Sequence, residues 1–352
     1  MNAEKNDYNN TKRTRHCRPA LIICMFCLLA FSSVSLSMSV CAASSVSTQQ
    51  RKKTPLQKYG RLQVKNGHLV SSKGKTVTLK GVSTHGINWF PEYVNKKTFK
   101  TLRDSWGVSC IRLAMYMQEY NGYCSGGDQK QLCELVDKGV RAATDLGMYV
   151  IIDWHILSDG NPSMHQKEAK AFFKKMSVRY KKNRNVLYEI CNEPNSGTGW
   201  DEIRRYAKAI IKTIRKSDKD AVILVGTPTW SQDVDIAAAN PLKGFSNIMY
   251  TFHFYAGTHG ESYREKVKAA IGKGLPVFVT EFGICDASGN GALNIEEGDE
   301  WIRFLKKNRI SFVCWNLSNK NESSALLKSS TTRLSSWKSR ELSRQGKWFK
   351  RQ

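Results

Sequence analysis

The chain has 352 residues, of which 41% are hydrophobic and 24% are charged, proportions that are ordinary for a globular protein. This composition excludes collagen-like, coiled-coil and intrinsically disordered classes. Lys and Arg outnumber Asp and Glu by 55 to 30, and the resulting formal net charge of +25 favours, by itself, an anionic partner such as nucleic acid or a membrane surface.

Residues 1–43 have the pattern of a secretory signal peptide. Basic residues between Lys12 and Arg18 precede a twelve-residue apolar run, Ala20 to Phe31, and a small-residue stretch follows, so we expect cleavage near Ala42. An uncleaved membrane anchor is the alternative, but the apolar run is shorter than the roughly 20 residues that span a bilayer. Residues 44–352 still hold 50 Lys and Arg against 28 Asp and Glu, so the basic excess belongs to the mature protein.

Residues 44–60 are rich in Ser, Thr, Gln and Lys and are predicted to form a flexible linker. The remaining residues, 61–352, are predicted to form one folded domain. Two short segments at its start, Leu62 to Val64 and His68 to Val70, are joined by Asn66-Gly67, a pair that favours a tight hairpin turn. We expect this hairpin to cover the bottom of the barrel that follows.

Eight strand-like segments then alternate with helix-like segments. The strand-like segments begin near Val77, Ser109, Met148, Asn185, Ala221, Asn247, Pro276 and Ile310. Helical periodicity is clearest over Gln129 to Leu146 and Ile203 to Ile214. Eight β/α units with near-continuous apolar strands predict a closed (β/α)₈ TIM barrel, an α/β fold of typically ~250 residues. A doubly wound open sheet is less favoured, because no glycine-rich phosphate turn follows the first strand.

The cysteines outside the signal segment indicate no metal site. Cys110, Cys191 and Cys314 fall in apolar runs and are expected to be buried thiols. Cys124 and Cys133 flank a loop, and the sequence leaves open whether they form a disulfide or stay free. Because no CxxC pair occurs after residue 43, a structural zinc site is not expected.

Two carboxylates stand at the ends of strand-like segments, where the catalytic groups of such barrels lie. Glu193 follows the fourth strand and Glu281 closes the seventh. These strands face each other across an eight-strand ring, which is the layout of a general acid and a nucleophile on either side of a glycosidic bond. The alternative is that one or both are solvent-facing loop acids.

Large aromatic side chains end other units of the barrel. Trp89, Trp230 and Trp315 are candidates for packing against the flat faces of sugar rings. Trp106, Trp154 and Trp301 are assigned instead to the core.

Six motifs occur in order at the predicted strand ends: IRLAMY, DWH, NEP, HFY, TEFG and CWNLS. Together they resemble glycoside hydrolase family 5 of the retaining clan A barrels, and in particular the secreted bacterial endo-β-1,4-glucanases. The resemblance runs from about Leu62 to the C terminus. It implies a cofactor-independent and metal-independent enzyme that cleaves internal β-1,4-glucosidic bonds of cellulose or soluble β-glucans by double displacement.

The resemblance also implies a role for each motif residue. Glu193 would be the acid/base, Glu281 the nucleophile, and Asn192 a hydrogen-bond partner of the sugar 2-hydroxyl. Arg112 would lie near Glu281 and favour its charged form. Tyr255 would contact the nucleophile, and His253 would support the acid. His85, His155 and Trp315 would form the cleavage subsite, and Tyr116 would contact the substrate. Trp89 and Trp230 would lie at the flanking subsites, and Lys320 and Glu322 would bind more distant hydroxyls. His68, His165 and His259 match no motif and are expected on the surface.

The sequence leaves other substrates and another class of function open. Mannan, xyloglucan or mixed-linkage glucan are alternative substrates, and a non-catalytic carbohydrate-binding protein is an alternative of another class. The basic residues are spread along the chain without zinc-finger or heptad patterns, so we expect no nucleic-acid partner and no membrane association of the mature form. We expect a secreted monomer that, lacking a carbohydrate-binding module, prefers soluble or amorphous glucan to crystalline cellulose.

Overall fold

The structure, a computed structural model, describes residues 53–352. The predicted signal peptide (residues 1–43) and residues 44–52 of the predicted linker lie outside the described residues. The described chain begins with helix α1 (Pro55–Tyr59) and an antiparallel hairpin of strands β1 (Gln63–Lys65) and β2 (His68–Val70).

Eight parallel strands follow and close into a barrel. In chain order they are β3 (Lys80–Thr84), β4 (Cys110–Tyr116), β5 (Tyr149–His155), β6 (Val186–Glu189), β7 (Ile223–Val225), β8 (Ile248–Tyr255), β9 (Val277–Gly283) and β10 (Phe312–Leu317). Each strand pairs with the next along the chain, and β10 pairs with β3 to close the ring. The predicted (β/α)₈ barrel is therefore confirmed.

Helices lie between the strands and after the last one. They are α2 (Lys96–Trp106), α3 (Gln129–Asp145), α4 (Gln166–Tyr180), α5 (Trp200–Arg215), α6 (Pro228–Ser231), α7 (Val234–Ala239), α8 (Glu261–Gly272), α9 (Ile295–Lys307) and α10 (Arg344–Arg351), with short 3₁₀ helices at Pro91–Tyr93 and Ser339–Glu341. No helix among residues 53–352 has both the length and the apolar character needed to cross a membrane.

Alternate side chains of β4 show how the strands divide the core into layers. Ile111, Leu113 and Met115 belong to the cluster between the strands and the surrounding helices. Cys110 points into the apolar lower interior of the barrel, and Tyr116 into the aromatic cluster at its upper end. This period-two alternation places every second residue of the strand inside the ring. The inward residues near the carboxyl ends of the strands therefore form the floor of any site there.

The hairpin covers the lower end of the barrel, as its sequence predicts. Asn66 and Gly67 both have positive φ (50° and 73°), the conformation of a type I′ turn. Leu62 and Leu69 pack into the apolar cluster of the lower barrel interior.

The stretch just before the hairpin differs from the predicted flexible linker. Thr54 and Gln57 form a capping box at the start of α1, and Pro55 occupies its first turn. The backbone N–H of Leu56 donates to the carbonyl of Gly147, which ties this helix to the barrel. Residues 53–60 are thus ordered, because local capping and the packing of the partly buried Leu56 against the core outweigh their polar composition.

The core tryptophans and the two cysteines that flank the loop after β4 lie as follows in the fold. Trp106, Trp154 and Trp301 are buried as predicted. The question left open for Cys124 and Cys133 is answered for the described residues, since both are free thiols.

Candidate active site

The carboxyl ends of the barrel strands line a cleft with a volume of about 790 Å³. Twelve of the fourteen residues that the sequence analysis assigned to the site line this cleft: His85, Trp89, Tyr116, His155, Glu193, Trp230, His253, Tyr255, Glu281, Trp315, Lys320 and Glu322. The other two, Arg112 and Asn192, are fully buried beneath its floor. The structure therefore brings all of the predicted site residues to one end of the barrel.

Glu281 lies within β9 and is held by two donors. The Arg112 guanidinium donates to Oε2 of Glu281 over 3.1 Å, and the Tyr255 hydroxyl donates to Oε1 over 2.7 Å. Both contacts favour the charged form of this carboxylate. Tyr255 comes from β8, which pairs with β9, so strand pairing alone brings the hydroxyl beside the carboxylate.

Arg112 is the centre of a buried charge network beneath the floor. Besides Glu281, its guanidinium forms two hydrogen bonds with Glu189, of 2.8 and 3.3 Å, and an ion pair of 3.1 Å with Asp153. It also donates to Oδ1 of Asn192 over 2.5 Å. One cation thus faces three carboxylates, and truncating it would leave buried charges without compensation.

Glu193 lies four residues beyond β6 and is held in a different way. Its Oε1 is 2.8 Å from Nδ1 of His253, and Nε2 of the same ring is 2.8 Å from the Thr280 hydroxyl. The Thr280 hydroxyl in turn donates to Oε1 of Glu189 over 2.7 Å. Since this hydroxyl has one proton and gives it to Glu189, it accepts from Nε2–H of His253. Neutral His253 then has a free lone pair on Nδ1, which accepts a hydrogen bond from the protonated carboxyl group of Glu193.

Glu193, His253 and Glu281 each offer a ligand-type atom, and these atoms lie within 4.8 Å of one another. Such a group has the residue types that bind a metal ion. Both ring nitrogens of His253 already take part in hydrogen bonds, and Glu281 already has two donors. This arrangement favours a pair of hydrogen-bonded carboxyl groups over a metal centre.

Aromatic rings form the walls around the two carboxyl groups. The Trp315 indole stacks on His155, with ring centroids 5.4 Å apart and an angle of 17° between the planes. His85 lies 5.1 Å from the same indole. Trp89 packs on Tyr116 at 4.5 Å and is anchored by a hydrogen bond from its Nε1 to the carbonyl of Tyr120. These rings provide apolar faces for sugar packing.

Trp230 stands on the opposite side of the ring, after β7, and is half exposed. Thr229, Trp230 and Ser231, three of the four residues of α6, all have φ between 54° and 59°, so α6 is a left-handed turn rather than a regular helix, at a cost of roughly 1–2 kcal/mol per residue. Two hydrogen bonds hold this turn against the loop that carries Glu193: Trp230 N–H to the carbonyl of Pro194, and the Ser231 hydroxyl to that of Asn192. Backbone strain of this kind concentrates at functional sites.

Lys320 and Glu322 lie next to His85 at the end of β10. Their side chains form an ion pair of 2.7 Å, and Asn316 donates to Glu322 over 2.7 Å. The Lys320 ammonium is 3.3 Å from Nε2 of His85. The two charged groups thus form a polar edge of the cleft beside the aromatic wall.

A family model for "Cellulase (glycosyl hydrolase family 5)" matches residues 70–321, most of the chain. The chain belongs to glycoside hydrolase family 5. It is 50% identical over 297 residues to Endoglucanase A of Butyrivibrio fibrisolvens, which covers 84% of this chain and 68% of that protein. It is also 50% identical over 293 residues to an endoglucanase of Clostridium saccharobutylicum, with coverages of 83% and 64%. The chain spans about two thirds of the length of these relatives.

Solved structures show the same relationship. The glycoside hydrolase is similar to the catalytic domain of Thermobifida fusca endoglucanase Cel5A, in a structure with cellotetraose, with a TM-score of 0.80 and 37% identity. The match covers 85% of this chain and 99% of that one. Cellulase Cel5C_n gives a TM-score of 0.81 at 40% identity, covering 85% of this chain and 94% of that one.

The two carboxyl groups of the hydrolase have different electrostatic surroundings. Burial raises the pKa of Glu193 well above its ordinary value, and the neighbouring charge of Glu281 raises it further. Burial also raises the pKa of Glu281, but Arg112 and the hydrogen bond from Tyr255 act in the opposite direction. Glu193 therefore keeps its proton to a higher pH than Glu281 does.

The histidines of the cleft are neutral. Burial lowers the pKa of His85 and of His155 to about 3, and lowers the pKa of His253 well below its ordinary value. Because none of these rings carries a charge near neutral pH, the proton next to His253 resides on Glu193.

Several residues of the hydrolase site were not among the sequence predictions. Asp153, Glu189 and Thr280 all lie on strands and are fully buried beneath the floor. Their polar side chains inside otherwise apolar strands were the available signal, since buried charges require partners.

His259 was expected on the surface, and this prediction is wrong. The ring is 4% exposed, lines the cleft, and accepts a hydrogen bond of 2.9 Å from the backbone N–H of Tyr255. Trp301, on α9, donates to its backbone carbonyl and helps to fold the loop inward. Burial lowers the pKa of His259 to about 4.

Proposed function

We propose that the protein is an endo-β-1,4-glucanase that acts with retention of anomeric configuration on cellulose or soluble β-glucans. The observation that carries this proposal is the pair of buried carboxyl groups, Glu193 and Glu281, in which one oxygen of each lies within 4.8 Å of the other and whose electrostatic surroundings are opposite. Oxygens this close fit the carboxyl separation of about 5–5.5 Å in retaining glycosidases better than the separation of about 6.5–9.5 Å in inverting enzymes, which admits a water molecule. Relatives named endoglucanases, at 50% identity, support the substrate class.

In the first step, an oxygen of Glu281 forms a bond to the anomeric carbon while the glycosidic C–O bond breaks. Glu193 gives its proton to the departing oxygen, so the leaving chain departs as an alcohol. Arg112 and Tyr255 hold Glu281 ionised and aimed before the step. The ring of His253 supports Glu193 in its protonated form.

In the second step, a water molecule attacks the anomeric carbon and the ester bond to Glu281 breaks. Glu193, now ionised, takes the proton from this water and returns to its initial state. The loss of the covalent bond restores the charge of Glu281 beside Arg112. Two inversions at the same carbon give net retention.

Binding groups on both sides of the carboxyl groups support cleavage within a polymer. Trp89 follows β3 and Trp230 follows β7, and these strands are directly opposite each other in the eight-strand ring. A sugar chain that packs on both indoles passes across Glu193 and Glu281. This placement fits an internal bond better than a terminal one.

The proposal is tested with the purified full chain and a panel of carboxymethyl cellulose, mixed-linkage glucan, xyloglucan and mannan. We expect the highest rate of reducing-end release on carboxymethyl or mixed-linkage glucan, and NMR of the first products is expected to show the β-anomer. Highest activity on mannan or xyloglucan would assign a different β-glycan. An initial α-anomer would overturn the retaining mechanism.

We also propose that the enzyme is exported and acts as a monomer outside the cell, or is held at the membrane if the N-terminal segment is not cleaved. The basic and apolar pattern of residues 1–43 supports export. N-terminal sequencing of protein from culture medium tests this, with a new terminus near Ala43 as the expected result. Size-exclusion chromatography with light scattering tests the monomer.

A further inference from the structure

About half of the net charge of the described chain lies on two neighbouring helices. Residues 166–184 and 200–220, which contain α4 and α5 and the turns after them, hold 15 Lys and Arg against five Asp and Glu. All other described residues together hold 33 against 23. The excess is therefore +10 in these two segments and +10 in the rest of residues 53–352.

The basic side chains of these helices form one surface. On α5 the exposed residues Lys208, Lys212 and Lys216 recur every four positions, which is one face of a helix. On α4 the exposed residues Lys167, Lys170 and Lys174 recur every three or four. The two helices pack against each other, with their apolar faces turned to the barrel. These six lysines define what we call the α4–α5 basic face.

The lysines of the α4–α5 basic face have no carboxylate within 4.0 Å among residues 53–352, whereas basic residues elsewhere on the surface are often paired. Examples of basic residues in surface ion pairs are Lys96 with Asp145, Lys266 with Asp233 and Arg303 with Glu300. Like charges four residues apart on a helix destabilise it slightly. The six lysines thus form no ion pairs within the described residues, and their ammonium groups are available to an anionic partner.

We propose that the α4–α5 basic face binds an acidic polysaccharide, a linear polymer that carries carboxylates along its length. The face extends over roughly 12 Å along α5, counted from Lys208 to Lys216 at 1.5 Å per residue, so it spans more than one unit of such a chain. Lys ammonium groups are point charges that bind carboxylates without a fixed geometry.

The composition of the face disfavours single-stranded nucleic acids and membranes as partners. Single-stranded nucleic acids bind to surfaces with exposed aromatic rings, and every aromatic side chain of α4 and α5 is buried. Amphipathic helices that bind membranes insert an apolar face, but the apolar faces of α4 and α5 are occupied by the barrel. Val178 is the single large apolar side chain that is exposed on α4.

The position of the face leaves the cleft free. The helices α4 and α5 lie on the outer wall, after β5 and β6, whereas the cleft lies at the carboxyl ends of the strands. An acidic polysaccharide on the wall and a neutral glucan in the cleft can therefore be bound together. Such a surface would keep the enzyme within a mixed polysaccharide matrix between cleavage events.

The test uses the full-length protein with Lys208, Lys212 and Lys216 all changed to Gln. The matched control changes three exposed lysines elsewhere, Lys307→Gln, Lys328→Gln and Lys338→Gln, which removes the same charge. Binding to polygalacturonate is measured between low and moderate salt, together with hydrolysis of a soluble neutral glucan.

We expect the first variant to bind polygalacturonate at least about tenfold more weakly at low salt, and its salt slope to fall by about two, at ~0.7 per lost contact. The control variant should bind like the parent, and all three proteins should hydrolyse the neutral glucan at equal rates. Equal losses of binding in both variants would show a whole-molecule charge effect and overturn the proposal. Tighter binding of the parent to single-stranded DNA or to anionic lipid vesicles than to polygalacturonate would overturn it as well.

Discussion

Glu193 and Glu281 are the same residue type in the same cleft, yet their surroundings differ in almost every respect. Glu281 belongs to a strand and faces a guanidinium and a phenol, whereas Glu193 lies on a loop and faces a neutral histidine and a negative neighbour. The first environment stabilises a carboxylate and the second a carboxylic acid. The donors around each group, rather than the depth of burial that they share, therefore separate the two roles.

The supports of the two groups also come from different parts of the fold. Tyr255 reaches Glu281 across one strand pair, β8 to β9. Glu193 depends on a longer chain of hydrogen bonds, through His253 and Thr280 to Glu189. Both chains end at Arg112, which contacts Glu189 and Glu281 directly. The two carboxyl groups are therefore coupled through one buried cation.

The largest effect is expected from removing the nucleophile. Glu281→Gln should lower kcat on carboxymethyl cellulose on the order of 10⁴- to 10⁶-fold, as for nucleophiles of other covalent enzymes, because an amide cannot form the glycosyl ester. The matched control is Glu134→Gln on the exposed side of α3, which should have parental activity. Substantial turnover by Glu281→Gln would assign the nucleophile elsewhere.

Removing the acid should have a smaller effect that depends on the substrate. Glu193→Gln is expected to lower kcat/KM on polysaccharide by about 10²- to 10⁴-fold, the usual contribution of general acid catalysis. The loss should be much smaller in the first step on an aryl cellobioside, whose leaving group departs without a proton. Pre-steady-state release of the phenol measures this step. An equal loss on both substrates would contradict the acid role.

Loss of one donor to Glu281 should have a moderate effect. Tyr255→Phe removes a hydrogen bond to a charged group, which is worth about 1.5–3 kcal/mol, and is expected to lower kcat/KM by about 10- to 100-fold. The acidic limb of the pH profile should move to higher pH, because the charged form of Glu281 loses stabilisation. An unmoved acidic limb would mean that Tyr255 acts on substrate binding alone.

The chain of hydrogen bonds that supports Glu193 is expected to contribute less to catalysis. Thr280→Val leaves Nε2 of His253 without its acceptor, so the ring can carry its proton on Nδ1 and stabilise ionised Glu193. We expect a loss of about tenfold or less in kcat/KM and a basic limb shifted to lower pH. Thr251→Val is the matched control, since Thr251 is a buried threonine of β8 whose hydroxyl has no partner among the described residues. A basic limb at its parental position in Thr280→Val would separate Thr280 from the acid.

The smallest expected effect is on stability. The folded-state pKa of Glu193 is raised, so its contribution to stability is present at low pH and is lost as pH rises from about 4.5 through the folded pKa. Glu193→Gln should therefore unfold about 2–4 °C above the parent at pH 7 and at the same temperature at pH 4. Thermal unfolding at both pH values measures this. A variant less stable than the parent at pH 7 would indicate that the acid stabilises the fold.

The sequence predicted the barrel and most of the cleft for physical reasons that can be named. Strands buried on both faces appear as apolar runs, so their starts were placed within three residues, as for Ser109 against Cys110 of β4 and Val77 against Lys80 of β3. The carboxyl end of each run then points to one rim of the ring. This rule was sufficient to bring Glu193, Glu281 and the tryptophans of the cleft together.

The remaining features depend on contacts that no local pattern contains. Thr280 and Glu189 are distant in sequence, and only the folding of the barrel brings their side chains within hydrogen-bond distance. The burial of His259 depends on Trp301 of another helix. The basic stretch of residues 167–184 was evident in the sequence, but its union with α5 into one face required the packing of the two helices.

The most direct measurement of the two roles is the site of covalent labelling by a 2-deoxy-2-fluoro cellobioside with a good leaving group. The electron-withdrawing fluorine slows the second step, so the glycosyl-enzyme accumulates. Peptide mapping by mass spectrometry is expected to find the label on Glu281, with Glu193 unmodified. A label on Glu193, or turnover without any covalent species, would contradict the assignment of Glu281 as the nucleophile.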